Sequence, residues 1–228
     1  MTAKRKRMTR EERRQSVLRA AARVFAEKGY RLTSIDDIVE AAGVSRGLFY
    51  MHFDSKKEAF LELIEAYFAE FAGILKKNHL QLDKVISENG NILEAWRGNL
   101  LRILSFHNDN SNLTRIIYRE ALGRDEDFSE RIDELSGLAH KLYSEEFRLM
   151  ASKGLIRLED VDLVTSINLG ATIYVIMEHL LEKNNVDIEE IADRLLEYHT
   201  RALVYPGFDV EAILKDTLDK PTRKKKRR

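Results

Sequence analysis

The chain has 228 residues, 44% of them hydrophobic, which is enough to bury a sizeable core in one or two domains. It contains no Cys, which excludes disulfides and thiolate zinc sites and is typical of a reducing cytoplasm. Although 38 basic residues balance 38 acidic ones, the net charge is +5 over residues 1–55, −11 over 56–217 and +6 over 218–228. Two basic ends on an acidic body suit a polyanionic partner and disfavour indiscriminate binding.

The sequence predicts neither secretion nor a membrane span. The basic N-terminus runs directly into Glu11 and Glu12 without an apolar core, unlike a signal peptide. The longest uncharged run, Leu163–Met177, is shorter than the roughly 20 residues that a membrane span requires, and it contains Thr, Ser and Asn. We therefore expect a buried helix here, no membrane partner, and a cytoplasmic protein.

The first predicted helix follows a basic arm. Lys4–Arg7 is a run of four basic residues, for which a flexible arm on DNA and a solvated tail are both open alternatives. Thr9 and Glu12 have the spacing of a capping box, and Gly29 is placed to end the helix.

The segment Thr33–Glu58 predicts a helix-turn-helix. Two short helices meet at Gly43, where a positive φ is needed, and Ser45 caps the second helix. The apolar residues that can face one small core are Ile35, Ile38, Val39, Ala42, Val44, Phe49 and Phe53. The residues between them face outward, and their hydroxyl, guanidinium and ring groups suit phosphates and base edges.

These residues resemble a known family. The run A-G-V-S-x-G-x-F-Y-x-H-F-x-S-K-x-E extends from Ala42 to Glu58, and F-A-E-K-G-Y precedes it from Phe25 to Tyr30. The pattern is similar to that of the TetR family of bacterial and archaeal transcriptional regulators. The resemblance covers residues 10–68, and beyond them it is one of layout, a long all-helical remainder. It implies a homodimer that binds double-stranded DNA.

The resemblance also implies roles for individual residues. Those implied to lie beside base edges are Arg46, Gly47, Leu48 and Met51, and those implied to anchor phosphates are Thr33, Ser45, Tyr50, His52 and Lys56. The chemistry is consistent with these roles. An Arg can grip guanine and Leu or Met can meet a thymine methyl, whereas hydroxyls, imidazole and Lys suit phosphate.

Longer helices are predicted after the helix-turn-helix. Ser55 and Glu58 form another capping box, which opens a helix with an aromatic and aliphatic stripe as far as Leu75. We interpret this helix as the lever between the two halves of the chain. The helices that follow are predicted from Asn91 to His107, from Leu113 to Leu122, and from Asp127 to Gly154.

The last two predicted helices have the pattern of a dimer interface. The segment Asp160–Lys183 is apolar nearly all round, so one face can meet its own core while the other needs a second partner. Asp187 and Glu190 cap a final helix that ends before Pro206. Two copies of this pair would close as a four-helix bundle with two-fold symmetry. The interface residues expected are Val164, Ile167, Gly170, Ala171, Leu195 and His199.

A small-molecule cavity is expected among the helices of the C-terminal body. The aromatic and polar residues that could line it are Trp96, His107, Tyr118, His140, Tyr143, Phe147 and Tyr174, although satisfied core packing is the open alternative for each. The family resemblance favours a flat or elongated hydrophobic effector.

Enzymatic patterns are missing from the sequence. The six His lack paired i, i+4 spacing, no Gly-rich phosphate loop follows a strand, and no nucleophile elbow is present, so we expect no catalysis, metal or cofactor.

We therefore predict an all-α chain with an N-terminal three-helix helix-turn-helix domain and a C-terminal helical ligand-binding and dimerisation domain. The predicted segments are a DNA-binding domain with its basic arm over 1–55, an effector-binding and dimerisation domain over 56–217, and a basic disordered tail over 218–228. The predicted function is repression of a palindromic operator by a homodimer that a small hydrophobic effector releases. The alternative is an architectural DNA-binding or protein-docking dimer without an effector.

Overall fold

The fold is all-α, as the sequence predicts. The computed structural model describes residues 8–123, 129–156, 160–182, 187–204 and 209–218. These segments contain helices and one isolated antiparallel β-bridge, between Ile156 and Val204. The helices are α1 (Arg10–Lys28), α2 (Ile35–Ala42), α3 (Arg46–Tyr50), α4 (Lys56–Ser87), α5 (Ile92–Asp109), α6 (Ser111–Gly123), α7 (Ser129–Ser152), α8 (Val161–Val175), α9 (Ile188–Leu203) and α10 (Val210–Leu218).

Local chemistry sets the helix ends. The Thr9 hydroxyl accepts from the Glu12 N–H at 3.1 Å, and the Glu12 carboxylate accepts from the Thr9 N–H at 2.7 Å, so the predicted capping box is confirmed. Gly43 adopts φ 64° between α2 and α3, a left-handed conformation that costs glycine little. The Ser45 hydroxyl accepts from the Leu48 N–H at 3.3 Å and caps α3, as predicted.

The chain packs as two compact units. The first consists of Met1–Glu70 and Asn110–Leu135, and the second of Phe71–Asp109 and Ser136–Arg228. Helix α4 is continuous and contributes to both units. By packing, the first unit therefore extends beyond residue 55, while the functional assignment of the three predicted segments stays a prediction.

An aromatic cluster forms the core of the first unit. The Phe60 ring of α4 packs edge-on against Phe25 of α1 at 5.1 Å between ring centroids, and it lies 4.7 Å from Tyr30 in the loop that follows. Phe49 of α3 contacts Phe53 at 5.4 Å, and both rings are fully buried. Rings of this size bury the most apolar area per residue. Phe25, Tyr30 and Phe60 therefore fix α1 to α4, and Phe49 and Phe53 anchor α3 to the residues that follow it.

Helix α6 belongs to the same unit. It packs on α1, and the hydroxyls of Tyr67 on α4 and Thr114 on α6 lie 3.1 Å apart in the buried interior. Burial raises the pKa of Tyr67 well above its usual range, which keeps the phenol neutral. The first half of α4 is thereby held on two sides.

In the second unit, α5 packs along α9 through aromatic contacts. The Trp96 ring stacks on His199 with ring centroids 5.8 Å apart, and it meets Phe147 of α7 edge-on at 6.3 Å. Tyr143 contacts Phe147 at 5.5 Å. Three helices thus share one aromatic core.

A buried polar network crosses the same unit. The Glu146 carboxylate of α7 is 5% exposed and accepts a hydrogen bond from the Asn99 amide of α5. Arg102 donates from Nε to Asn78 Oδ1 at 2.7 Å and from its terminal nitrogen to Asn99. Burial raises the pKa of Glu146 to about 7, because Asn99 and Arg102 offset only part of the lost hydration.

Helix α8 is less buried than the sequence suggests. It continues into a π-helical turn at Ile176–Leu181, and the segment Val161–Leu181 is, among the described helices, the one long and apolar enough by length and composition to cross a membrane. Core helices of soluble proteins pass the same test. Only 22% of its most apolar window is buried in the chain, so the expectation of a buried helix is wrong for the isolated chain. Leu163, Ile167 and Tyr174 are exposed.

The C-terminal end contains a helix that the sequence analysis missed. Helix α10 follows Asp209, whose carboxylate accepts from the Ala212 N–H at 3.1 Å, a spacing typical of a helix cap. The expectations for the basic arm at Lys4–Arg7, for Pro206 and for the basic tail beyond Leu218 fall outside the described residues.

The buried Glu146 predicts a pH dependence of stability. The pKa of Glu146 in the folded protein is about 7, above its ordinary value of 4.5. The protonated carboxyl group therefore stabilises the fold fully below pH 4.5, and this stabilisation is lost as the pH rises through 7. Glu146→Gln removes the titration, and the variant should gain about 3 kcal/mol relative to wild type between pH 4.5 and 8. Denaturant unfolding across this pH range measures the difference.

The control is Glu88→Gln, the same change at an exposed position in the turn that follows α4. It should leave the pH profile of wild type unchanged. Parallel profiles for wild type and Glu146→Gln would show that Glu146 is ionised in the fold at all these pH values.

Candidate nucleic-acid interface

The outward face of α3 is built on two buried rings. Phe49 and Phe53 point into the core, which fixes the rotation of the short helix about its axis. The side chains of Ser45, Tyr50 and Met51 are exposed on the opposite face. This division of inward and outward residues agrees with the predicted pattern.

Four further members of the predicted set lie on or beside the same face. Arg46 and Gly47 are exposed, and Leu48 and His52 are half-buried. A Cβ at Gly47 would meet no atom closer than 4.0 Å, so the backbone at this position is open. Predicted base and phosphate neighbours therefore share one surface, although their contacts with DNA stay predictions.

Arg46 is held in place by a residue that the sequence analysis did not single out. Its terminal nitrogen lies 3.0 Å from both carboxylate oxygens of Asp36 on α2, and its guanidinium lies 5.9 Å from the centre of the Tyr50 ring. All three groups are exposed, so the pair contributes little to stability. Because Asp36 precedes Arg46 by ten residues across a turn, no local spacing rule indicates the pair.

The predicted phosphate-anchoring role of the Thr33 side chain is wrong. Thr33 is 2% exposed, and its hydroxyl donates to the Gly29 carbonyl oxygen at 2.7 Å. The hydroxyl satisfies the C-terminal end of α1 instead of facing solvent. Its function in the structure is to close the loop between α1 and α2.

The ammonium group of Lys56 is also engaged within the protein. Its Nζ donates to the carbonyl oxygens of Tyr30 at 2.8 Å and Thr33 at 2.7 Å, and it lies 4.4 Å from the centre of the Tyr30 ring. Two charge-assisted hydrogen bonds and a cation–π contact join the start of α4 to the α1–α2 loop. In the DNA-free chain Lys56 therefore acts as a structural link, and its phosphate-anchoring role stays a prediction.

Two arginines of α1 support this surface. Arg10 donates to the Met51 carbonyl oxygen at 3.4 Å, next to the end of α3. Arg14 pairs with Glu62 of α4, and its guanidinium lies 4.9 Å from the Phe53 ring centre. The recognition surface is thus fixed by contacts from α1 and α4 as well as by its own turn.

The structure brings together part of the predicted cavity lining. Trp96, Tyr143 and Phe147 form the aromatic core of the second unit. His107 is buried in the same unit, but it packs against Phe71 at 5.0 Å, and burial lowers its pKa to about 3. His107 is therefore a neutral core residue, which is the alternative to cavity lining that the sequence left open.

Three other predicted lining residues lie elsewhere. Tyr118 belongs to the first unit, where burial raises its pKa above the usual range. His140 is half-buried, with Nε2 3.2 Å from the Ser166 hydroxyl at an exposed contact between α7 and α8. Tyr174 is 67% exposed, so its predicted place in an internal cavity is wrong, because it lies on the outward face of α8.

The predicted dimer residues divide between surface and core. Ile167 and Gly170 are exposed, and Val164 and Ala171 are half-buried. His199 is fully buried under Trp96 in its own chain, so its assignment to the interface is wrong.

A groove lies between α8 with its π turn and α9. It has a volume of about 540 Å³ and is lined by Ala171, Val175, His179, Asp187, Glu190, Ile191, Arg194, Leu195 and Tyr198. Leu195, predicted at the interface, is almost buried and lies in this lining. The groove opens on the same helix pair for which the sequence predicts an interface.

No cluster of three His, Asp or Glu side chains within the described ranges could hold a metal ion. The first unit presents the outward face of α3, which carries exposed cationic, hydroxyl and apolar side chains. Such a helix can enter the major groove of DNA.

Comparison with known proteins identifies the N-terminal segment. Residues 17–63 match the family model for bacterial regulatory proteins of the tetR family. The transcriptional activator FasR of Mycolicibacterium smegmatis is 41% identical over 61 residues, which are 27% of this chain and 28% of FasR. The transcriptional repressor KstR2 of Rhodococcus jostii is 41% identical over 61 residues, which are 27% of this chain and 30% of KstR2. The matched region spans less than a third of each relative.

A solved structure extends the similarity to most of the chain. The TetR-family regulator PfmR of Thermus thermophilus superposes with a TM-score of 0.68 over 81% of this chain and 97% of PfmR. The sequences are 22% identical, so this similarity supports the fold alone.

Lys56 provides a test of the structural link. Lys56→Met keeps the aliphatic stem but removes the ammonium group from two carbonyls, which should destabilise the protein by about 1.5–3 kcal/mol. The thermal midpoint should fall by roughly 3–10 °C. Lys77→Met, at an exposed position of the same helix, should leave it unchanged. If Lys56→Met kept its midpoint and flattened the salt dependence of DNA binding, Lys56 would be a phosphate anchor and not a structural link.

Proposed function

Because the chain belongs to the TetR family of transcriptional regulators, we propose that it binds a palindromic DNA operator as a homodimer and represses transcription. A small molecule that enters the C-terminal unit then releases the DNA. The observation that carries the proposal is the outward face of α3, whose exposed side chains are fixed over the buried Phe49 and Phe53 rings.

The side chains of this face have the chemistry for base readout. Arg46 can donate two hydrogen bonds to the O6 and N7 atoms of guanine. Leu48 and Met51 offer apolar atoms to a thymine methyl group, and Met51 is 63% exposed. On binding DNA, Arg46 exchanges its contact with Asp36 for one with a base edge. Because the ion pair is exposed, losing it costs little free energy.

Phosphate contacts come from groups at the edges of the same face. Ser45 and Tyr50 present exposed hydroxyls, and His52 is half-buried beside them. The basic surplus of +5 over residues 1–55 adds long-range attraction to DNA. The acidic surplus of −11 over 56–217 repels DNA from the rest of the chain.

Dimerisation is supported by an exposed stripe on α8. Leu163, Ile167, Gly170 and Tyr174 follow one another at intervals of four, three and four residues, so they lie on one helical face. The groove between α8 and α9 adjoins this stripe. A stripe and a groove on one helix pair are suited to a two-fold interface, in which each patch meets the same patch of the second copy.

In the simplest mechanism of repression, the dimer occupies the operator and blocks access to it. A dimer whose two recognition helices are about 34 Å apart spans successive major grooves and can block polymerase without further contacts. The names of the relatives include an activator and a repressor, so a reporter assay with the mapped operator decides the direction.

Release by an effector is supported by the layout of α4. This helix begins at the Lys56 link in the first unit, and its residues from Phe71 to Ser87 belong to the second. A ligand in the aromatic core of the second unit can change the operator affinity only by binding one state better than the other, typically by about 1–3 kcal/mol.

The exposed stripe also gives a reason to retain the second candidate. An architectural or protein-docking dimer would use such an apolar surface for a different partner protein. The self-complementary arrangement of stripe and groove favours a second copy of the chain. An operator affinity that no bound small molecule changes would favour the architectural function.

Arg46 tests the recognition surface. In Arg46→Ala, the dissociation constant for a site mapped by genome-wide binding should rise about 5- to 150-fold, while binding to a scrambled duplex changes little. Lys76→Ala removes an exposed positive charge from the second unit and should leave both constants unchanged. Equal losses on the mapped and scrambled duplexes would reduce Arg46 to a phosphate contact.

Gly170 tests the interface. A side chain at this position meets no atom of its own chain within 4 Å, so Gly170→Asp should fold but place a charge in the proposed interface. Sedimentation should show a folded monomer with weakened operator binding. Gly137→Asp, at an exposed and unobstructed position of α7, should remain dimeric. A dimeric Gly170→Asp variant with unchanged affinity would move the interface elsewhere.

A further inference from the structure

The second unit contains a concentration of buried polar atoms without partners. Among the described residues, six buried side-chain nitrogen or oxygen atoms on α8 and α9 lack a hydrogen-bond partner. They are the hydroxyls of Thr165, Thr172 and Thr200, the Asn168 carbonyl oxygen and both ring nitrogens of His199. All five residues are at most 3% exposed. Native proteins leave few such groups, and each unpaired one is costly.

Three of these residues form a single inner face of α8. Thr165, Asn168 and Thr172 are spaced by three and four residues, so their side chains project in one direction. Asn168 donates from Nδ2 to the Val164 carbonyl oxygen at 2.7 Å, which leaves its own Oδ1 unpaired. A helix that only packs against a core would carry apolar residues along this face.

The inner face of α8 belongs to the aromatic core already described. The Tyr143 hydroxyl lies close to that of Thr172, although not in good hydrogen-bond geometry. Tyr143 packs on Phe147, Phe147 meets Trp96, and Trp96 stacks on His199. Two of the residues with unpaired atoms, Thr172 and His199, therefore lie beside aromatic rings of this core.

The backbone of α8 changes form beside this face. The π-helical turn at Ile176–Leu181 starts four residues after Thr172. Such turns widen a helix locally, and they occur frequently at functional sites. The turn also carries His179, which lines the groove on the outer side.

The unpaired atoms indicate which hydrogen-bonding groups a ligand must supply. Asn168 Oδ1 can only accept, so the ligand must supply an N–H or O–H donor. Burial lowers the pKa of His199 to about 4, so its neutral ring offers one donor and one acceptor. The threonine hydroxyls both donate and accept. The flanking rings match a flat molecule with apolar faces.

We propose, resting on the effector-controlled function above, that the effector is a small ring compound with at least one N–H or O–H donor and one acceptor on its edge. It binds between Trp96 and the inner face of α8, where its polar edge meets Asn168 and Thr172. The sequence favours a flat or elongated hydrophobic effector. The proposal restricts this class to ring compounds whose ring faces are apolar and whose edges carry polar groups.

The test compares two probes of similar shape, catechol and o-xylene, on the DNA-free protein. Trp96 is the sole tryptophan of the chain, so its fluorescence reports binding at this site. Catechol should raise the thermal midpoint, change the Trp96 emission and bind at least about ten-fold more tightly than o-xylene. Equal binding of the two probes, or binding of neither, would overturn the proposal.

Two substitutions separate this site from ordinary packing. Thr172→Val and His199→Phe keep the shape of each side chain but remove the unpaired polar atoms. Each should raise the midpoint of the ligand-free protein by about 2 °C or more and weaken catechol binding. If both variants lowered the midpoint, the polar atoms would have protein partners and the proposal would fail.

Thr114→Val is the matched control. Its hydroxyl is equally buried but is paired with Tyr67 in the first unit, so this substitution should lower the midpoint and leave catechol binding unchanged. Operator binding by ligand-free wild-type protein is measured separately. Its failure would refute the proposed function, whereas failure of the catechol test alone would refute only the proposed ligand class.

Discussion

The contact of the Lys56 ammonium group with the carbonyl oxygens of Tyr30 and Thr33 fixes the start of α4 to the loop between α1 and α2. These carbonyls belong to the loop between α1 and α2, and Lys56 is the first residue of α4. Four residues later, Phe60 enters the cluster with Tyr30. The charged contact and the aromatic contact act on the same loop, so the helix-turn-helix cannot rotate relative to the start of α4 without breaking both. Any signal that reaches the recognition helix through α4 passes through this junction.

The recognition surface combines rigid support with exchangeable contacts. Phe49 and Phe53 are buried and fix the helix, whereas Arg46 is held only by the exposed Asp36 and Tyr50. Exposed ion pairs exchange partners at little cost, while buried rings do not. The second unit reverses this arrangement, because there the unpaired polar atoms are buried beside Trp96 and the exposed face is apolar. The first unit thus holds Arg46 by a contact that DNA can replace, and the second leaves polar atoms unpaired where we propose that the effector binds.

Sequence patterns predicted the features that depend on neighbouring residues. The Thr9 capping box, the turn at Gly43 and the inward rings of α3 follow from spacings of three or four residues and from the conformational freedom of glycine. The roles of Thr33, Lys56 and His199 could not be predicted, because their partners are backbone carbonyls or rings. Such partners carry no signal in the sequence, and for Lys56 and His199 they are also far away along the chain. Periodicity placed His199 on an apolar helix but could not distinguish its own core from a second copy.

The most direct measurement is the stoichiometry of the protein on a duplex that contains one mapped palindrome, followed by sedimentation with labelled DNA. A homodimer that reads two half-sites predicts two chains per duplex, a dimer in the absence of DNA, and much weaker binding when one half-site is scrambled. One chain per duplex, with the same affinity for the half-site as for the palindrome, would contradict the account.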